Sequence, residues 1–442
     1  MLQPTLNEIP TSRDMLDVFR GYNHNLRISD GEFYDMSNLT SEHYPLLSPR
    51  GKRGIYEYPE GSGDRHTING LISKDSLCYV DGTKLYINNE EIAGLVLSDT
   101  PKQLISMGAY IIIMPDKKYI NTKDFTDMGN IEAVFPATVG QDVTATYELC
   151  KNDGTVYGAI QKSTSAPENP ENMQLWIDIS TTPHVLKQFS ETQSVWNPIA
   201  TTYVKISAPG IASSFKQYDA VKITGLPSDD SQLQELEGKT SVLYGAYHDE
   251  GDSEIGRAEG TDDYVIVVCI LDETKNGATS KLCLERNMPI MDFVIESGNR
   301  LWGCRYGANA DGDIVNEIYA SKLGDFKNWN CFMGISTDSY VASCGSDGQW
   351  TGAISYLGYP IFLKENYLHK VYGNYPANYQ VQSTECRGVQ KGCGKSLAIV
   401  NERLYYKSRN GVCVYDGSLP SEISSAFGDI HYTGIDTSDT DE

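Results

Sequence analysis

The chain has 442 residues, 59 acidic against 36 basic, for a formal net charge of −23. Its apolar share is enough for a large core, and the length suits two or three domains or one extended all-β body. So acidic a chain does not bind nucleic acid through its overall field, because that mode depends on Lys and Arg displacing counterions. Tyr (29) far exceeds Phe (11) and Trp (5), and there are 40 Gly. That mixture suits short strands and tight turns, since Tyr packs on a pleated surface and Gly supplies positive-φ turns.

Residues 1–60 are rich in Pro, Gly and Tyr and read as an extended N-terminal arm. Ser12 is placed to cap one short helix carrying Met15, Leu16 and Phe19, which Gly21 ends; turns are expected at Asp30–Gly31 and Tyr44–Pro45. The N-terminus has no basic start followed by an apolar core, so no signal peptide is read, and no stretch nears the ~18 apolar residues of a bilayer span. A soluble chain without membrane insertion is expected.

From 61 to 139 the pattern changes to hairpins. LCYVDGTKLYI (77–87) reads as two strands joined across Asp81–Gly82, and YIIIMPDKKYI (110–120) repeats the form. Residues 140–288 interrupt this pattern. They contain a polar low-complexity stretch (161–172) and strands at 174–179, 202–207, 219–226, 240–247 and 263–271, with a helical turn at 231–239. The core of this region, about 195–287, reads as a small β-barrel or sandwich inserted in a loop.

The hairpin grammar returns over 289–430. RLWGCRY (300–306) pairs with NEIYASKL (316–323), and 360–373 and 403–417 are two further apolar–turn–apolar units. Ile318, Phe362 and Tyr405 sit at equivalent points, 44 and 43 residues apart (318 to 362, 362 to 405). That spacing matches propeller blades of ~40–50 residues. The expectation is an all-β, β-propeller-like body with an inserted small β-domain, an N-terminal arm, and an acidic tail at 431–442.

Catalytic and metal signatures are lacking. Ten cysteines are spread singly with no CxxC pair, which reads as free, buried thiols in a reducing compartment. Seven histidines stand isolated, without HExxH or HxH, and no GxSxG elbow is present. Gly394–Lys395–Ser396 imitates a phosphate-binding loop, but Val389 stands where Gly is required and Gly388 is one place out. The residues that follow it read as a strand where the motif needs a helix. Asn309, Asp311, Asp313 and Glu317 crowd one hairpin loop without the spacing of a calcium loop, and read as a solvated acidic turn. SDGQW (346–350) resembles the Asp-box turn of sialidases out of register, and with 59 acids no catalytic pair stands out. Asp325, Phe326 and Trp329 read as a turn anchored by a buried Trp. No catalytic, cofactor-binding or metal-binding residue is assigned, and no enzyme activity or cofactor is expected.

Two stretches carry a resemblance: GYNHNLRISDGEFYDMSNLTSEHYPLLSPRGKRG (21–54), and segments between RLWGCRYG (300–307) and ISSAFG (423–428). They resemble tail proteins of phages and prophages from Gram-positive hosts. In arrangement they are similar to the propeller-bearing tail nozzle or hub proteins of short-tailed phages, also called tail tubular B or packaged-DNA stabilisation proteins. The resemblance implies a virion component at the tail or neck, assembled in the host cytoplasm. It also implies copies of itself in a ring of six around the DNA exit channel, with portal, adaptor or other tail proteins as neighbours. Phage DNA would pass without sequence-specific binding. The family lends no catalytic residues. The alternative is a phage receptor- or glycan-binding propeller contacting the host surface.

Overall fold

The computed structural model describes residues 15, 18–40, 42–44, 46–52, 68–251 and 257–427. The expected helix after Ser12, the turn at Pro45 and the acidic tail fall wholly or partly outside them. The described residues are all-β: many short strands, with 3-10 turns as the only helical elements among them.

Five four-stranded antiparallel sheets follow one another in chain order, each a meander. The first comprises Ile68–Lys74, Ser76–Asp81, Lys84–Ile87 and Glu90–Glu91, and the second Gln103–Met107, Tyr110–Met114, Lys118–Asn121 and Asp124–Asn130. The third comprises Phe293–Ser297, Arg300–Ala308, Ile314–Ala320 and Tyr340–Ser343, and the fourth Trp350–Tyr356, Tyr359–Lys364, Tyr367–Tyr372 and Gln380–Glu385. The fifth comprises Ala398–Val400, Arg403–Ser408, Gly411–Tyr415 and Ser421–Glu422. The hairpins expected at 77–87, 110–120, 300–323, 360–373 and 403–417 all form. The first strands of sheets one to four run beside one another in succession.

Why the sheets stack can be read from their second strands. A strand buried on one face alternates apolar and polar side chains, whereas one buried on both faces is apolar throughout. In the second sheet Ile111 and Ile113 enter a core shared with the first sheet, while Ile112 and Met114 enter a core shared with the third. In the third sheet Leu301 faces the second sheet, and Trp302 and Cys304 face the fourth. In the fourth, Phe362 points back to the third while Ile361 and Leu363 meet Leu404, Tyr406 and Cys413 of the fifth. The fifth sheet alternates instead: Leu404, Tyr406 and Ser408 are buried, with Tyr405 and Lys407 half-buried between them.

The three-point repeat needs correction. Phe362 and Tyr405 lie in second strands, but Ile318 lies in the third strand of its sheet. The true counterpart of Phe362 is in Arg300–Ala308. The second strands of sheets three and four begin 59 residues apart (300 to 359), and those of sheets four and five 44 apart (359 to 403). A long connection between Ala320 and Tyr340 lengthens the third sheet, and it shifted the apparent repeat by a strand.

Between sheets two and three lies a separate β-unit, which starts at Ala133 rather than at the expected 140. Its eight-stranded sheet runs in the spatial order Ala133–Phe135, Cys283–Arg286, Ala220–Thr224, Thr240–Tyr247, Tyr264–Val268, Tyr203–Ser207, Val143–Cys150 and Lys275–Ser280. It stays open, with Ala133–Phe135 and Lys275–Ser280 as its edges, yet one core gathers Tyr147, Val204, Val221, Leu243, Val265 and Leu284 from along it. Val143–Cys150 pairs with strands on both sides and buries Ala145, Tyr147 and Leu149. A core confined to 195–287 is therefore incomplete. A side sheet of Gln161–Ser163, Leu175–Asp178, Val185–Ser190 and Val195–Pro198 packs on this unit. The turn expected at 231–239 is a 3-10 turn, Leu233–Leu236.

The arm is folded back on itself rather than extended. Gly21–Tyr22 pairs in parallel with Glu32–Phe33, and buried Phe19 packs on Phe33 at 5.4 Å. Gly31 has φ +87°, and a Cβ there would meet the Val18 carbonyl at 2.6 Å, so only glycine fits the reversal. The arm reaches the fifth sheet's far end: the His24 N–H donates to the Ala426 carbonyl (2.7 Å) and the Asn25 side chain to that of Ser425 (3.1 Å).

One close approach seats the connection between sheets four and five on the fourth sheet. A Cβ on Gly388 would lie 1.8 Å from the Lys364 carbonyl oxygen and 3.3 Å from that of Tyr367, both backbone atoms that cannot swing aside. Gly388→Ala is expected to destabilise the protein by about 1–3 kcal/mol, as overpacked sites do. Gly345→Ala, where a Cβ meets nothing within 4 Å, should stay within about 0.5 kcal/mol of the parent. Urea midpoints of the two variants would separate these outcomes.

Candidate functional site

A cleft of about 810 Å³ opens where the second sheet, the eight-stranded unit and the long connection of the third sheet meet. Each element delivers a side chain for a local reason. Tyr119 lies on the third strand of the second sheet, its ring among aromatic residues Tyr110 (5.9 Å) and Phe326 (5.3 Å). Phe215 and Lys216 follow a run of turns after Tyr203–Ser207. Arg286 ends Cys283–Arg286. Lys327 sits in the turn anchored by Trp329, whose indole N–H donates to the Phe326 carbonyl at 2.9 Å; this buried-Trp turn is the one expected from sequence.

The cations differ in how they are neutralised. Arg286 is buried and paired with buried Asp219; it also donates to the carbonyls of Ile131 and Ser214. Asp219 accepts from the Asn328 amide (2.9 Å), whose oxygen accepts the Ala220 N–H (2.9 Å). Lys117 pairs with Glu132 at 2.6 Å. Lys327 stands apart: its ammonium lies 4.0 Å from the Tyr119 ring centre and 5.8 Å from that of Phe326, and this ammonium makes no ion pair or hydrogen bond among the described residues, although the Lys327 backbone N–H donates to Asp325 (3.0 Å). Burial, and then the neighbouring Arg286 charge, push its pKa below the usual lysine range. Asp127 accepts from the Tyr110 hydroxyl (2.8 Å) and the Asn121 amide (3.2 Å). Burial works against its ionisation, but these donors and Lys327 outweigh it, and its carboxyl titrates below the usual range.

The near-misses of the sequence resolve as follows. Gly394–Ser396 is a 3-10 turn leading into strand Ala398–Val400, and the Ser396 hydroxyl donates to the Cys393 carbonyl (2.6 Å) and accepts the Lys407 N–H (3.0 Å). In the acidic hairpin loop Asn309 caps the turn, accepting the N–H groups of Asp311 (3.0 Å) and Asp313 (2.9 Å), while Glu317 accepts the Tyr319 hydroxyl (2.6 Å). No group of three or more His, Cys, Asp or Glu among the described residues is arranged to hold a metal ion. In SDGQW, Trp350 is buried and opens the fourth sheet. All ten cysteines are free.

The histidines are more engaged than their isolated sequence positions suggest. His184 meets Asp272 at 2.7 Å, and His248 bridges Asp263 and Glu259, each at 3.0 Å. His369 is fully buried between the hydroxyls of Ser383 (2.7 Å) and Ser346 (2.9 Å). His66 and His431 lie outside the described residues. None of these partners is a sequence neighbour, so spacing gave no signal for them. The cleft was missed for the same reason, since Tyr119, Phe215, Arg286 and Lys327 are scattered over two hundred residues.

No family model matches the chain, and no curated protein matches it.

Proposed function

We propose that the chain is a non-enzymatic structural component of a tailed-phage particle: a β-propeller-like body with an inserted β-domain, assembled as a ring, six copies by analogy, around the DNA exit channel. The observation that carries this reading is the succession of five four-stranded meanders, the first strands of the first four adjoining and neighbouring sheets sharing cores, which supports a propeller-like body. The resemblance of 21–54 and 300–428 to tail nozzle and hub proteins supplies the biological setting.

Two further features fit. The arm presents Leu26, Tyr44, Leu46 and Leu47 to solvent, an apolar surface suited to a neighbouring subunit. The net charge of −23 would let DNA slide past without sticking, because acidic walls repel phosphate. Portal, adaptor or other tail proteins would flank such a ring in the virion.

Native mass spectrometry and negative-stain microscopy of the purified chain test this, together with proteomics of purified particles. The expected result is a ring, and the chain among the particle's proteins. A chain that stays monomeric at micromolar concentration and is absent from particles would sink the reading.

A further inference from the structure

We infer that the cleft bordered by Tyr119, Phe215, Arg286 and Lys327 binds a small oxyanion, a carboxylate or a phosphate, at the Lys327 ammonium. The charges around it lead there. A partly desolvated cation is costly unless an anion faces it, and Arg286, Lys117 and Asp116 of the cleft lining are already engaged. Asp219 neutralises Arg286, Glu132 takes Lys117, and Asp116 is held by Lys102 (3.1 Å) and the Ser98 hydroxyl (2.6 Å). Asp127, Asp325 and Asp219 act on Lys327 only from a distance: Asp127 takes Tyr110 and Asn121 on its Oδ2, and no carboxylate comes within ion-pair distance of the Lys327 ammonium among the described residues.

Two further cations lie beside Lys327. Arg286, beside Lys327, adds positive potential even with its own carboxylate, and exposed Lys216 flanks the same opening. The Tyr119 and Phe326 rings hold the ammonium from below by cation–π contact. That contact fixes the position of the cation at the cleft lining without neutralising it. At about 810 Å³ the opening exceeds what one oxyanion fills. The bound group can therefore be the head of a larger molecule lying along Phe215 and Val134.

Isothermal titration of the full chain at low ionic strength with sodium phosphate, and separately with sodium acetate, tests the site and tells the two anions apart. Saturable one-site binding of at least one anion is expected. Lys327→Met should weaken it about tenfold or more, equivalent to about 1.4 kcal/mol, and Lys216→Met should weaken it less. Lys395→Met, in the 3-10 turn before the fifth sheet and outside the cleft lining, should leave it unchanged. Because Lys327→Met removes a poorly compensated charge, its thermal midpoint should equal or exceed that of the parent, so lost binding will not reflect lost folding. Absence of saturable binding to both anions, or equal affinity in the parent and Lys327→Met, overturns the assignment.

Discussion

Replacing Asp219 by alanine should cost about 3–5 kcal/mol of stability, the range found when one partner of a buried ion pair is removed. The carboxylate is buried and shared by three parts of the chain. It neutralises Arg286 at the end of one strand, accepts the Lys216 N–H (3.0 Å) in its own turn, and receives the Asn328 amide from the third sheet. Alanine would leave the Arg286 guanidinium enclosed, with only carbonyl oxygens and the Phe215 ring for company. The loss has a place as well as a size. Asn328 ties the eight-stranded unit to the stacked sheets through Ala220 and Asp219, and its amide also donates to Asp325 at 2.5 Å. Hydrogen exchange at Ala220 and its strand should therefore accelerate more than exchange in the fourth and fifth sheets. Asp219→Asn keeps the shape and a hydrogen-bond acceptor but removes the charge, and should fall between the parent and alanine. Urea midpoints of the two variants within 0.5 kcal/mol of the parent, a difference typical of neutral surface changes, would refute the role given to this carboxylate.

The second large effect is a pH dependence carried by His369. Its imidazole is fully buried, edge-on to Trp350 at 5.0 Å, with a hydroxyl at each ring nitrogen. Lys364, also buried, lies close by; its ammonium donates to the Asn316 side chain (3.0 Å) and the Ser346 carbonyl (2.8 Å) and sits 4.4 Å from the Trp350 ring centre. Burial, and then the Lys364 charge, depress the His369 pKa from its ordinary 6.5 to about 4. Above pH 6.5 the residue is neutral in both folded and unfolded chains and adds no pH dependence. As pH falls below 6.5 the unfolded chain takes up a proton that the folded protein refuses, so stability declines. The decline is complete near pH 4, where the folded protein also protonates. A shift of this size corresponds to about 3 kcal/mol. His369→Asn, which has no proton to gain, should show a shallower loss of stability between pH 6.5 and 4 than the parent. Identical acid slopes for the two proteins would remove His369 as the cause.

How much of this was legible in the residues depends on the distance over which each feature is encoded. Hairpins are local: Asp81–Gly82 and the polar turn at 115–117 announce reversals between apolar runs, and these strands pair as expected. The rejected phosphate loop was equally local, because a strand-forming run follows Gly394–Ser396. Equivalence between sheets was not local. Ile318 looked like a match for Phe362 because both are buried apolar residues in hairpins, while the strand each occupies depends on a connection whose length the pattern does not weigh. Val143–Cys150 escaped notice as well. Its Val143, Ala145, Tyr147 and Leu149 alternate toward one core, with Thr144, Thr146 and Glu148 between them.

By itself the sequence determined an all-β chain of short antiparallel hairpins, two sets of them separated by a distinct β-rich stretch. Apolar periodicity and turn chemistry act over a few residues, and they are written in order along the chain. Only the tertiary structure decided that five sheets share cores face to face, that the arm folds back onto the fifth, and that Lys327 meets Tyr119 and Arg286 without a carboxylate of its own. Those outcomes depend on which distant surfaces bury one another and which charges are left over when they do. Burial and charge compensation are summed over the whole fold, and no short window of sequence carries that sum.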